Sequence, residues 1–250
     1  MKRVRINSGH AGLVFRNGNY KRFIAEGVHW VWPSERVHFY DMAKAFASPI
    51  ELNILLKDQS LAAMLTVLVV KDHEIALQYE NGNLRNVLTP GRYAYWKGAT
   101  DFSFVKADLN KIEVTEPIDM GTLVKREVLP YVRIFVVEPY EKGVLFVDGK
   151  FEKVMETGVY YFWKNPTGIS VPKVDLRNLQ LEISGQEILT KDKAALRVNF
   201  YSQYKVVDVV KSLIDNKDYE KQLYVLLQLA LREYIGMLTL DEMLERKEMV

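Results

Sequence analysis

Val144-Leu145-Phe146-Val147-Asp148-Gly149, followed by Gly158 and Trp163, decides the reading of this chain, because the pattern occurs twice more upstream. The copies are Leu13-Val14-Phe15-Arg16-Asn17-Gly18 with Gly27 and Trp32, and Leu77-Gln78-Tyr79-Glu80-Asn81-Gly82 with Gly91 and Trp96. Each time the second glycine follows the first by 9 residues and the tryptophan follows it by 14, with an aromatic 3 residues before it. Agreement at this many positions in register marks an internal repeat. Asn-Gly and Asp-Gly tolerate positive φ at both central residues of a type I′ turn, so Asn17-Gly18, Asn81-Gly82 and Asp148-Gly149 each predict a hairpin corner. The second glycine predicts a bend into a short aromatic strand ending at Trp32, Trp96 or Trp163.

The register continues past the tryptophans. Asp41-Met42, Asp108-Leu109 and Asp175-Leu176 follow one another at intervals of 67 residues. Lys57-Asp58 and Lys191-Asp192 occupy related places in the first and third copies, whereas the second has Val124-Lys125 there. The three tryptophans are expected to fill the cores of their own small sheets, since β units this short contain little other large apolar material. Tryptophans open on one face would instead form a stacking set for a carbohydrate or peptide ligand.

Composition excludes several classes of function. The chain has 250 residues, 48% of them hydrophobic and 26% charged, as in ordinary globular proteins. It contains no cysteine, which removes disulfides, thiolate metal sites and cysteine nucleophiles. A net charge of +2 gives no argument for nucleic acid as a partner. Residues 206–250 carry 6 basic and 9 acidic side chains, too small an imbalance to name a partner. The four histidines, His10, His29, His38 and His73, lack metal-ligand spacing. Neither a Gly-rich phosphate loop nor a Gly-x-Ser-x-Gly elbow occurs. No catalytic residue, metal or cofactor is therefore assigned. The longest apolar run, Leu61 to Val70, is about half the length of a membrane-spanning helix and reads as a buried strand. The basic start lacks a following apolar core and is not a signal peptide, so the chain reads as cytosolic.

Three divisions follow: residues 1–68 and 69–134 as all-β repeats, and 135–250 as a domain that adds helices. The fold class is α+β. In the last division, 174–177, 179–183 and 196–206 read as strands. Asp208 predicts an N-cap for a helix over 209–215, and a longer helix runs from about 218 to 235 with Gly236 as its C-terminal glycine. Thr239 and Glu242 form a capping box for a helix over 240–250 that is expected to continue past Val250. On the long helix, Leu223, Leu226, Leu227, Ala230 and Tyr234 make one stripe at helical spacing. Val225 and Leu229 lie on nearly the opposite side and need a second cover, either the helix that follows over 240–249 or a neighbouring subunit, which makes them a candidate subunit interface.

Val174-Asp175-Leu176-Arg177, Gln186 to Asp192 (QEILTKD), Leu229 to Gly236 (LALREYIG) and Thr239 to Leu244 (TLDEML) resemble the stomatin/prohibitin/flotillin (SPFH) family, and the bacterial slipins within it. The resemblance covers roughly residues 135–250. It makes the segment from Gly143 to Trp163 the opening strands of an SPFH domain, and the two upstream copies resemble those strands alone. It implies antiparallel strands with packed helices, followed by a coiled coil that drives homo-oligomers at membranes. Family members are scaffolds and not enzymes, and some pair with a membrane-bound protease. Here two repeats stand where stomatins usually carry a membrane-inserting segment. The resemblance places the chain in the cytoplasm, peripheral to the inner face of the membrane, with itself and membrane lipid as expected partners.

Overall fold

The computed structural model describes residues 1–245. Its first five strands are β1 (Lys2–Ile6), β2 (His10–Arg16), β3 (Asn19–Ile24), β4 (Gly27–Val31) and β5 (Glu35–Asp41). β1 and β4 pair as an antiparallel ribbon, while β2 lies between β3 and β5 in a second sheet. The β2–β3 corner is a two-residue loop, Asn17 and Gly18, with φ of 51° and 80°. Two left-handed residues make a type I′ turn, whose twist matches that of the strands it joins. Val4, Ile6, Val14, Ile24 and Val37 pack between ribbon and sheet.

Two short helices follow, α1 (Leu52–Leu55) and α2 (Gln59–Met64), and then β6 (Leu65–Val70). The apolar run from Leu61 is thus not one strand. Asp58 accepts hydrogen bonds from the amides of Ser60 and Leu61 and caps a helix, which holds the run's first four residues. Next come β7 (Glu74–Glu80), β8 (Asn83–Leu88), β9 (Gly91–Trp96) and β10 (Phe102–Asp108). β6 pairs with β9, and β7 lies between β8 and β10.

After α3 (Met120–Leu123) and a 3-10 turn at Leu129–Tyr131, the same pairing recurs a third time. β11 (Val132–Val137) pairs with β14 (Gly158–Trp163), and β12 (Glu141–Val147) lies between β13 (Lys150–Met155) and the short strands β15 (Ile169–Ser170) and β16 (Lys173–Asp175). In each central hairpin the aromatic residue, Phe15, Tyr79 or Phe146, sits at a register shift. Asp41, Asp108 and Asp175 end equivalent strands. Each accepts a hydrogen bond from the amide two residues on, at Ala43, Asn110 and Arg177.

The chain forms two compact units, residues 1–133 with 161–165, and residues 134–160 with 166–250. In the first, Ala11, Leu13 and Phe15 from β2 share one core with Leu65 of β6, Ala94 and Trp96 of β9, and Leu52, Leu55 and Leu61. A boundary at 68 therefore cuts through β6, and the first two repeats are not separate domains. In the second unit a long hairpin, β17 (Leu179–Leu189) with β18 (Ala195–Tyr204), precedes α4 (Val209–Ile214), α5 (Tyr219–Gly236) and α6 (Leu240–Glu245); α4 packs through Val209 with Val144 of β12 and Val174 of β16, whereas α5 packs on the hairpin. Asp208 and Asp218 cap α4 and α5 through the amides of Lys211 and Lys221. Thr239 and Glu242 bond reciprocally at the start of α6. Gly236 lies inside α5, which ends at Met237 in ordinary helical geometry, so this helix stops without a left-handed glycine. Residues 246–250 of the predicted last helix lie outside the described residues.

Candidate interaction surfaces

Among the described residues, exposed apolar side chains gather on two surfaces in particular. The first is on α5. Its buried side is Leu231 and Ile235, which pack with Ile188 of β17 and with Leu196, Val198 and Phe200 of β18. Gln228 sits on the same side and donates to the Gln186 side chain of β17. The helix is thus rotated by about one residue, near 100°, from the stripe read in the sequence. Leu226, Ala230 and Tyr234 face water. The alternation misled because the true core face includes a glutamine, satisfied by its partner, while the open face is rich in apolar residues. Val225 is 43% exposed and Leu229 56% exposed, and with Leu226, Tyr234 and Met237 they form a continuous open strip.

The second surface is the outer face of the β1–β4 ribbon. Residues alternate across a strand. Val4, Ile6 and Val31 point inward, whereas Arg3 and Arg5 of β1 point out beside Val28 and Trp30 of β4, with Trp32 just beyond. Trp30 is 60% exposed and Trp32 54%. The expectation that Trp32 fills a core is corrected here. Its counterparts are buried because other parts of the first unit cover them. Trp96 lies against Phe23, Tyr40 and Phe46. Trp163 donates its amide to the Ile112 carbonyl and its indole N–H to Glu116. Among the described residues, nothing packs on the corresponding face of the first ribbon. Two of the three tryptophans being enclosed also leaves no three-ring stacking set. Alternation of Arg3 and Arg5 with Val4 and Ile6, and of Trp30 and Trp32 with Val31, is the sequence signal that would have found this face.

The open tryptophans are held on a rigid frame. Arg22 of β3 grips Glu35 of β5 with both terminal nitrogens and also donates to the Trp30 carbonyl. Glu35 accepts from the Trp32 amide. The Arg22 guanidinium and then the Trp32 amide hold the Glu35 carboxyl below its ordinary range. A two-pronged ion pair of this kind fixes geometry as well as charge.

The titratable groups have structural tasks. Asp58 accepts from the Tyr20 hydroxyl and from the amides of Phe23, Ser60 and Leu61. Burial works against its charge, yet these hydrogen bonds outweigh burial and lower its pKa. Burial, reinforced by Asp58, pushes the Tyr20 hydroxyl well above its usual range. Arg177 pairs with Asp175, which lowers the Asp175 pKa, and lies over the Tyr140 ring at 3.9 Å. Among the described residues, no group of three His, Asp or Glu side chains is placed to hold a metal ion. No helix among them is long and apolar enough to cross a membrane.

This fold and these sequences match the family profile of the SPFH domain, or Band 7 family, over residues 4–71 and 135–250. The chain belongs to that family. The matched span includes the first copy, which the resemblance read from the later motifs alone did not reach. Among relatives, a stomatin homolog of Pyrococcus horikoshii is 33% identical over 46% of this chain and 42% of its own length. Stomatin-4 of Caenorhabditis elegans is 30% identical over 46% of this chain and 41% of its own. Mouse stomatin is 26% identical over 60% of this chain and 50% of its own. The chain thus spans about half the length, or less, of these curated relatives.

Proposed function

We propose that this protein is a non-enzymatic scaffold module of the slipin type, which assembles into homo-oligomers lying peripherally on the cytoplasmic face of a membrane. The observation that carries the reading is the open strip on α5. Val225, Leu226 and Leu229 leave apolar area in water that a neighbouring subunit would cover, at about 1.5 to 3 kcal/mol for each side chain fully buried. Family membership supports the scaffold role, and the names of the relatives support the stomatin branch. The thrice-recurring strand pairing, with a family match on both the first and the third copy, supports a duplication of the domain's opening half. A coiled coil beyond Val250 would join the subunits, and a membrane-bound protease is the protein partner that the family likeness favours.

Mass measurement of the full-length natural chain, in solution and on liposomes, tests the reading. A large oligomer that floats with vesicles is expected, and a monomer that remains in solution would overturn it.

A further inference from the structure

We propose that the outer face of the β1–β4 ribbon is the surface that meets the membrane, and that it takes a bilayer containing anionic lipid. This rests on the peripheral membrane association proposed above and assigns it a place on the molecule.

Three observations converge. First, Ala94 and Trp96, which take the places of Trp30 and Trp32 in the second copy, are buried in a core, whereas Trp30 and Trp32 stand in water beside Val28. Indole rings combine an apolar body with an N–H donor and favour the boundary between hydrocarbon and headgroups. Second, the adjoining strand turns Arg3 and Arg5 to this face, whereas Lys2, also exposed, stands opposite Val31. Cross-strand register sets Arg3 opposite Trp30 and Arg5 opposite Val28. Neither strand contains an acidic residue, and Glu35, close by, is committed to Arg22. Glu26 stands at the far end, just before Gly27. The face therefore offers apolar rings and unpaired cations together, which complements an anionic headgroup layer above acyl chains. Third, the Arg22–Glu35 clamp on the backbone of Trp30 and Trp32 presents the rings on a fixed frame, which limits the ordering cost of docking.

A second copy fits this face less well. A two-fold pair would bring Arg3 and Arg5 against the same residues of its mate, with no carboxylate on the face to offset them. A head-to-tail contact like the one between the first two copies would need a sheet face such as that of Leu13 and Phe15, and that face is already buried within the chain.

The test uses the 250-residue chain and two vesicle preparations, one of phosphatidylcholine alone and one of equal parts phosphatidylcholine and phosphatidylglycerol. Trp96 and Trp163 are enclosed, so a blue shift of tryptophan emission on binding reports Trp30 and Trp32. We expect binding to the anionic vesicles that weakens with added salt. Arg3→Glu with Arg5→Glu should weaken it about tenfold or more. Trp30→Ser with Trp32→Ser should weaken it similarly and abolish the blue shift. All four side chains are exposed, so thermal midpoints should be unchanged, and the arginine pair decides the matter if the tryptophan pair fails to fold. Wild-type affinity in both variants, or equal wild-type affinity for both vesicles, would overturn this assignment while leaving membrane association intact. Failure of the wild-type chain to bind either vesicle overturns both. A wild-type dimer that dissociates on either double substitution would give the face to a second copy instead.

Discussion

Glu116 shows how much one side chain can carry in this fold. Its carboxylate accepts hydrogen bonds from the amides of Asp108 and Thr115 and from the indole N–H of Trp163. Glu116→Ala would leave a buried donor unpaired, and we expect a loss of about 1 to 3 kcal/mol, read as a lower urea midpoint at unchanged slope. Gly149 has φ of 76°, and a Cβ there would meet nothing within 4 Å. Gly149→Val should therefore cost about 1 to 3 kcal/mol through backbone strain alone. Asp58 supplies a pH test. Its folded pKa is depressed, so its contribution is complete above the unfolded value, near 3.9, and is lost as pH falls through the folded value. Between pH 5 and pH 3 (round values about the carboxylate range), the thermal midpoint of wild type should fall more steeply than that of Asp58→Asn, which retains a good capping residue. Equal slopes would show that another carboxylate governs acid unfolding. The hairpin turns were legible because Asn-Gly and Asp-Gly determine their own backbone. The exposure of Trp32 was missed, because its size reads as core material while the alternation of Trp30 and Trp32 with Val31 sets it on the uncovered face.

Helix ends were equally legible, since Asp208, Asp218 and the Thr239–Glu242 pair satisfy amides within their own first turns. The facing of α5 was not. Apolar residues surround much of this helix, and the β17–β18 hairpin, with Gln186 reaching Gln228, selects the side that is buried. The distinction predicts opposite outcomes for neighbouring substitutions. Leu231→Ala removes side-chain volume from a core and should cost about 2 to 5 kcal/mol. Val225→Asp with Leu229→Asp changes only the open strip and should leave the melting of the 250-residue chain within about 0.5 kcal/mol per substitution. If the double variant unfolds the chain, the strip is part of its own core and the interface assignment fails.

At the scale of the whole chain, the recurring Asn-Gly and Asp-Gly turns, with the aspartates at 67-residue intervals, made the recurring hairpin readable, and the capped helices of the last division made the class α+β. The sharing of one core by the first two copies was hidden, because a repeat period records what recurs and not what packs on what. Assembly is the property that this scale decides. The α5 strip presents a few apolar side chains, which is small beside the roughly 800 Å² per partner of a stable interface. An isolated chain should therefore associate weakly at most. Linking many such helices through a coiled coil beyond Val250 would raise their effective concentration, so that contacts too weak alone act together. We accordingly expect residues 1–250 to sediment as a monomer or a weak, concentration-dependent dimer, and a longer chain that carries the proposed coiled coil to form large particles. Val225→Asp with Leu229→Asp in that longer chain should shrink or loosen the particles while leaving its coiled-coil helicity unchanged. Particles of undiminished size would place the contacts elsewhere, and a monomeric long chain would remove the scaffold reading altogether.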